Sequence, residues 1–289
     1  MKPFRSLLFV PGHKREWIDK ALASDADAII IDLEDSVPAA EKALARANAK
    51  DALAKNDGAK GILVRPNALD TTHFGADVAE VSHANLIGFL LPKLFSRDDV
   101  VRFDALVSAA ELAHGIPRGS IELIPSLETA TSISKVDEIL AGPRVGGVMA
   151  AAAKEADVSR GGGVSWTAAG TETLYLRSKV VLAARAAGLR SIVLGPWQEV
   201  RNLEGLRTFA KDNNGLGYTG QVLIHPSHAP VANEEYGLSE NLRDYYEGLV
   251  EAFEQGQREG HGAVSYRGDH IDLAHANHAR QALALAAHG

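Results

Sequence analysis

Cysteine is absent from all 289 residues, which removes disulfide frames, thiolate nucleophiles and Cys-ligated zinc or iron–sulfur centres. Any metal must therefore be held by oxygen or imidazole. Excess positive charge is missing too, since 30 Lys and Arg stand against 37 Asp and Glu, a net charge of -7. That balance disfavours sequence-independent binding of nucleic acid. No stretch reaches the ~18 uninterrupted apolar residues of a spanning helix, because even the Ala-rich segments are cut by charge. The opening MKPFRSLLFVPGHKREW has a short apolar run that Pro11 and Gly12 break at once, so no signal peptide or membrane partner is expected and the location is cytoplasmic. The 11 His residues form no H-x-x-x-H or H-E-x-x-H pattern, which disfavours zinc. Internal repeats and low-complexity tracts are lacking as well.

What the chain does contain is an alternation of short aliphatic runs with longer segments of helical spacing. Eight such runs occur: SLLFV (6–10), AIIIDL (28–33), GILVR (61–65), IGFLLP (87–92), IELIPS (121–126), VGGVMA (145–150), SIVLG (191–195) and QVLIH (221–225). Strands this apolar on both faces belong to a parallel sheet covered by helices. Eight βα units within about 225 residues, with no linker between them, indicate an α/β fold, a single (β/α)8 TIM barrel over residues 1–228. A doubly wound dinucleotide fold would need a Gly-rich turn after its first strand, and PGHKRE is not G-x-G-x-x-G. Gly188 reads as the stop of the helix LYLRSKVVLAARAAG, and Gly161–Gly163 as a loop. Residues 229–289 are expected to form a C-terminal helical extension, a long helix around 229–257 and a tail ending in a short helix, packing on the barrel or a neighbouring subunit.

Barrel chemistry sits at the carboxyl ends of the strands. There the chain places Asp32, Glu34 and Asp35 after the second strand, Arg65 and Asn67 after the third, Lys93 after the fourth, Glu128 after the fifth, Asp157 after the sixth and His225 after the eighth. Neighbouring carboxylates without thiols make an oxygen site of the kind Mg2+ prefers. An Arg beside them offers a planar fork for a carboxylate or an enolate oxygen. Each residue also has a plainer reading: Asp35 as the cap of the next helix, Glu128 as a first-turn carboxylate, Arg65 and Lys93 as ion-pair partners, His225 as a satisfied core histidine.

RSLLFVPG (5–12), DADAIIIDLEDSVPAAEK (25–42), VRPN (64–67), LPK (91–93), SLETA (126–130), LYLRSKVVLAARAAG (174–188) and GYTGQVLIHPSH (217–228) together resemble the citrate lyase beta-subunit-like family, relatives of the malyl-CoA and citramalyl-CoA lyases within the pyruvate- and phosphoenolpyruvate-binding barrels. The resemblance implies Mg2+ held by a Glu after the fifth strand, here Glu128, and an Asp after the sixth. Counting back from LYLRS puts that Asp at Asp157, whereas counting forward from PRV reaches Lys154; a three-residue insertion reconciles the two, and lysine cannot coordinate Mg2+. The family pattern F-G-x-E-D-L is replaced by MAAAAKEADVSRGGG, with Ala156 before Asp157. The resemblance also implies that Arg65 contacts substrate, so Arg65 is expected as catalytic and substrate-binding residue, and the strand-end positions of Glu34, Asp35 and Lys93 put them in the same expected substrate site. In GAVSYRGDHIDLAHA, it implies Asp272 as a proton carrier reaching a neighbouring subunit of a homotrimer or homohexamer, although Asp272 suits a helix N-cap equally well. Trp197 stands where relatives often carry an Asp and is expected to alter which acyl acid is accepted. Lys14 and Lys20 could meet CoA phosphates or lie solvated on the surface.

The expected activity is a Mg2+-dependent carbon–carbon lyase acting on a 3-hydroxyacyl-CoA such as malyl-, citramalyl- or citryl-CoA, with acyl-CoA and a 2-oxo acid as its small-molecule partners. Two alternatives stay open: a CoA-independent 4-hydroxy-2-oxo-acid aldolase, and a non-catalytic acyl-CoA-binding paralogue.

Overall fold

The computed structural model describes residues 1–150 and 163–286. Eight parallel strands, β1 (Ser6–Pro11), β2 (Ala28–Asp32), β3 (Gly61–Arg65), β4 (Gly88–Leu91), β5 (Glu122–Leu127), β6 (Gly147–Ala150), β7 (Ser191–Leu194) and β8 (Gly220–Leu223), pair in sequence order and close β8 onto β1. The (β/α)8 barrel read from the alternation is borne out. The strands bury both faces, as their unbroken apolar runs require. Leu7, Ile30, Leu63, Leu90, Ile124, Met149, Val193 and Val222, one from each strand, fill the lumen. The opposite face, with Leu8, Ile31, Val64, Leu91, Leu123, Val148, Leu194 and Leu223, packs under the helices.

The described helices of the barrel unit are α1 (Arg15–Leu22), α2 (Lys42–Lys55), α3 (Phe74–Val81), α4 (Arg97–Ala113), α5 (Ala130–Ser134), α6 (Val136–Leu140), α7 (Leu174–Ala186), α8 (Leu203–Leu216) and α9 (Ala229–Glu235). Their ends are set by local chemistry. Ser96 and Asp99 form a capping box at the start of α4, Asn202 Oδ1 accepts the Gly205 N–H at the start of α8, and Gly188 stops α7 at φ +75°. Two glycines in the quoted motifs are needed for close approach. A Cβ on Gly12 would lie 2.9 Å from the Asp32 carbonyl oxygen, and one on Gly220 only 2.0 Å from that of Phe4.

The chain divides into a barrel unit, Pro3–Tyr236, and a C-terminal unit from Gly237 onward. The single helix expected over 229–257 is broken: α9 ends at Glu235, and Ser239 Oγ caps a new helix, α10 (Glu240–Arg258), by accepting the Leu242 N–H. An antiparallel hairpin follows, β9 (Ala263–Tyr266) and β10 (Asp269–Asp272), turning through Arg267 and Gly268, both at positive φ. The last helix, α11 (Leu273–Ala286), is 14 residues long rather than short. Leu249, Phe253, Ile271, Ala276 and Ala279 give this unit its own small core. Among the described residues no helix is long and apolar enough to cross a membrane.

Candidate functional site

Strand parity decides which polar residues enter the lumen. Asp32 and Arg65 lie two residues beyond the inward-facing Ile30 and Leu63, and the β2–β3 register sets them side by side. The Arg65 Nε and Nη2 groups donate to the two Asp32 carboxylate oxygens at 2.7 and 2.8 Å, a bidentate pair. Phe9, on the same inward parity of β1, lies under the guanidinium with 4.8 Å between its ring centre and Cζ. Asp32 is 1% exposed and also accepts the N–H groups of Glu34 and Ser36. Burial pushes its carboxyl upward, but the Arg65 bonds and charge, with Ser36 and the Glu34 N–H, outweigh that and hold it below the ordinary range.

A second carboxylate stands on the other side of Arg65. Glu34, 5% exposed, has Oε2 3.4 Å from Arg65 Nη1 and Oε1 2.9 Å from Lys93 Nζ. Burial raises its pKa beyond what the two cations can offset. Burial lowers the pKa of Lys93, but Glu34 and Asp35, the latter 3.3 Å from Nζ, together outweigh it and hold the ammonium above its ordinary value. The Lys93 backbone N–H donates to Glu128 Oε1 at 2.9 Å, while Ser126, inward on β5, approaches Glu128 Oε2 at 3.4 Å. Lys93 sits at φ +50°, a left-handed conformation rare outside glycine.

Beneath these loops lies a buried lysine that sequence reasoning left unassigned. Lys42 Nζ donates to the carbonyls of Leu33 and Glu34 at 2.6 and 2.7 Å and to Asn67 Oδ1 at 2.6 Å. Asn67 in turn donates through N and Nδ2 to Asp77, which is fully buried and pairs with Arg46. This relay ties the loop after β2 to the loop after β3, fixing the backbone that carries Glu34 and Arg65.

The structure therefore brings Arg65, Glu34, Asp35, Lys93 and Glu128 to one part of the barrel mouth, with Asp32 as the anchor. Several plainer readings fail. Asp32, not Asp35, caps the turn after β2, and Asp35 is 63% exposed on its side chain. Thr129 and Ser132 cap α5, which frees Glu128 from that duty. His225 is exposed and caps the turn after β8 through Nδ1, whereas the buried histidine is His228, whose Nε2 lies 3.1 Å from the Val200 carbonyl. Trp197 is 2% exposed and packs in the helix–strand layer against Trp166 and Phe209. Lys14 and Lys20 are exposed. In the C-terminal unit, Asp272 Oδ1 accepts the Ala274 and His275 N–H groups and pairs with His275 Nδ1 at 2.6 Å, the N-cap geometry. Its hydrogen bond with His275 holds that carboxyl below the usual range. Asp157, the second expected metal ligand, and the alternative Lys154 lie outside the described residues.

The donor set fits a hard cation in the part described. Glu128 offers carboxylate oxygen at the inward parity of Ile124 and Ser126, and Mg2+ commonly takes only one or two carboxylates while keeping several waters. Among the described residues, no three His, Asp or Glu side chains gather into a metal cage. A separate cavity of about 190 Å³ between α7 and α8 holds Arg177, but Thr173, Asn213 and the Gly170 carbonyl already engage that guanidinium.

The HpcH/HpaI aldolase/citrate lyase family matches residues 5–226, which include all eight barrel strands and the charged mouth described above. The chain belongs to this family. The resemblance read from the motifs is borne out. Among its relatives, a (3S)-malyl-CoA thioesterase of Cereibacter sphaeroides is 33% identical over 98% of this chain and 95% of its own. An L-malyl-CoA/beta-methylmalyl-CoA lyase of the same organism is 33% identical over 94% and 91%. The solved CitE protein of Mycobacterium tuberculosis, in complex with magnesium, acetoacetate and coenzyme A, superposes with a TM-score of 0.76 at 28% identity, covering 99% of this chain and 98% of that one.

Proposed function

We propose that this protein is a Mg2+-dependent carbon–carbon lyase that cleaves, or in reverse forms, a 3-hydroxyacyl-CoA such as malyl-, citramalyl- or citryl-CoA. The products are an acyl-CoA and a 2-oxo acid. The observation that carries the reading is the fixed Arg65 fork, held by Asp32 and Phe9 and close enough to Glu128 to feel its charge. The named activity of the C. sphaeroides lyase and the ligands of the M. tuberculosis structure support it.

Glu128 and Asp157 would hold the ion, which when bound supplies a Lewis acid for the hydroxyl and carboxylate oxygens of the substrate. Arg65 spends Nε and Nη2 on Asp32, which fixes the guanidinium plane, and its Nη1, 3.4 Å from Glu34 Oε2, would share its N–H groups between that carboxylate and a substrate oxygen, where charge develops as the bond breaks. Glu34, Asp35 and Lys93 complete the charged wall beside it. The substrate hydroxyl gives up its proton to solvent water in the mouth, the bond between hydroxyl carbon and methylene breaks, and the electron pair passes into a thioester enolate. The Asp272 carboxylate of a neighbouring copy, ionised at rest because its hydrogen bond with His275 holds its pKa down, takes up a proton and hands it to that enolate carbon, in a working assembly that the family resemblance makes a homotrimer or homohexamer. The reading carries a cytoplasmic location, where CoA thioesters are made and consumed.

A second reading is thioester hydrolysis, favoured by the equal identity of the malyl-CoA thioesterase. Product analysis separates the two. The protein is incubated with malyl-, citramalyl- and citryl-CoA, with Mg2+ and then with EDTA, and products are followed by mass spectrometry. EDTA-sensitive glyoxylate, pyruvate or oxaloacetate with acetyl-CoA supports the lyase and names its acid. Malate and free CoA support the hydrolase. No turnover of any thioester by folded protein favours the CoA-independent aldolase or the binding paralogue.

A further inference from the structure

Among the described residues of the mouth, Lys93 meets three carboxylates from two separate segments, and it does so through two chemically different groups. Its backbone N–H reaches Glu128 after β5, while its ammonium reaches Glu34 and Asp35 after β2. With the preceding peptide fixed so that the N–H points at Glu128, the choice of φ alone decides where the side chain leaves. A move from +50° to an ordinary helical value would rotate Cβ by roughly 110° about the N–Cα bond, away from its present course toward the β2 loop. A lysine accepts this conformation only where its surroundings over-determine it.

We propose that Lys93 is a positioning residue with two separable roles: its N–H orients Glu128, and its ammonium holds Asp35 and Glu34 Oε1, so that Glu34 stays 3.4 Å from Arg65 Nη1 rather than closing to a full hydrogen bond with it. This rests on the functional reading above and deepens it. Two of the three ammonium donors are already directed at carboxylates, so the residue acts on substrate through Arg65. The left-handed backbone makes a substitution series informative. Glycine keeps both the N–H and the conformation and deletes the ammonium. Methionine deletes the ammonium and keeps the steric cost. Proline removes the N–H and forbids the conformation.

The test measures Mg2+ affinity by calorimetry and KM and kcat with the thioester that the wild type cleaves, together with Tm. Lys93→Gly and Lys93→Met are expected to raise KM by about tenfold, with Lys93→Arg recovering part of the loss. Lys93→Gly should bind Mg2+ at least as tightly as Lys93→Met and within about threefold of wild type, whereas Lys93→Pro, if folded, should lose about tenfold or more, the usual effect of removing a hydrogen bond behind a metal ligand. A Lys93→Gly protein with Mg2+ affinity reduced tenfold overturns the proposal. So does an unchanged KM in both Lys93→Gly and Lys93→Met, or a uniform loss of Tm and kcat with no split between KM and Mg2+ affinity, as a purely structural role would give. A wild type that gives no magnesium heat sinks the functional reading and, with it, the Glu128 role assigned to Lys93. The variant patterns above instead sink this proposal alone.

Discussion

Replacing Asp32 with Asn should destabilise the barrel by an amount that the geometry of its pair with Arg65 allows to be estimated. Losing one partner of a buried ion pair costs about 3–5 kcal/mol when the other charge is left uncompensated. Here the Arg65 side chain keeps 16% exposure and Glu34 remains 3.4 Å from Nη1, so compensation is partial and the loss should be ~2–3 kcal/mol. With a urea slope of about 3 kcal/mol/M, the midpoint falls by roughly 0.7–1 M. All three tryptophans, Trp17, Trp166 and Trp197, lie in the barrel unit, so indole fluorescence reports this transition. In the double variant with Arg65→Met, the stranded cation is gone and part of the loss should be recovered. The pH dependence has a fixed sign. Asp32 is depressed in the fold from an unfolded value near 3.9, so its contribution is present above that value and lost as pH falls through the folded one. The gap between wild type and Asp32→Asn should stay constant from pH 7 to about 5 and close below about 4. A midpoint shift under about 0.2 M at pH 7, or a gap that widens in acid, would refute the argument.

Glu128→Gln should abolish the magnesium heat and lower turnover by at least about a hundredfold, measured on protein with an unchanged circular dichroism spectrum. Arg65→Ala should lower turnover at least about tenfold while the protein stays folded, and equal activity would remove Arg65 from the mechanism. Trp197→Ala should cost about 3–5 kcal/mol of stability without changing the preference among acyl acids, because the indole packs between helix and strand. Gly220→Ala should cost about 3 kcal/mol, since the added methyl meets the Phe4 carbonyl rather than a movable side chain; a soluble variant with wild-type melting would contradict the close approach.

The barrel was legible because its strands are apolar on both faces, a pattern that few other folds require. The same reading put Asp32 and Arg65 at neighbouring strand ends, while their bidentate pairing comes from the β2–β3 register, which is seen only in the fold. Other features leave no comparable mark. Lysine is so rarely buried that nothing in PAAEK singles out Lys42 as a backbone clamp. The left-handed turn at Lys93 is set by three carboxylates that come together only in space. His225 was read as a core histidine because the apolar run continues two residues past the end of β8 at Leu223, whereas the buried histidine is His228. The C-terminal hairpin escaped notice because its strands are four residues each and its turn is Arg-Gly rather than the stronger Asn-Gly or Asp-Gly signal.

The central claim is bond cleavage through a thioester enolate, and the most direct test is malyl-CoA turnover in D2O with Mg2+, read by mass spectrometry. The expected products are glyoxylate and acetyl-CoA carrying one deuterium in its methyl group, with no such product from Glu128→Gln. Malate and free CoA, with no deuterium on carbon, would contradict it and assign the site to hydrolysis.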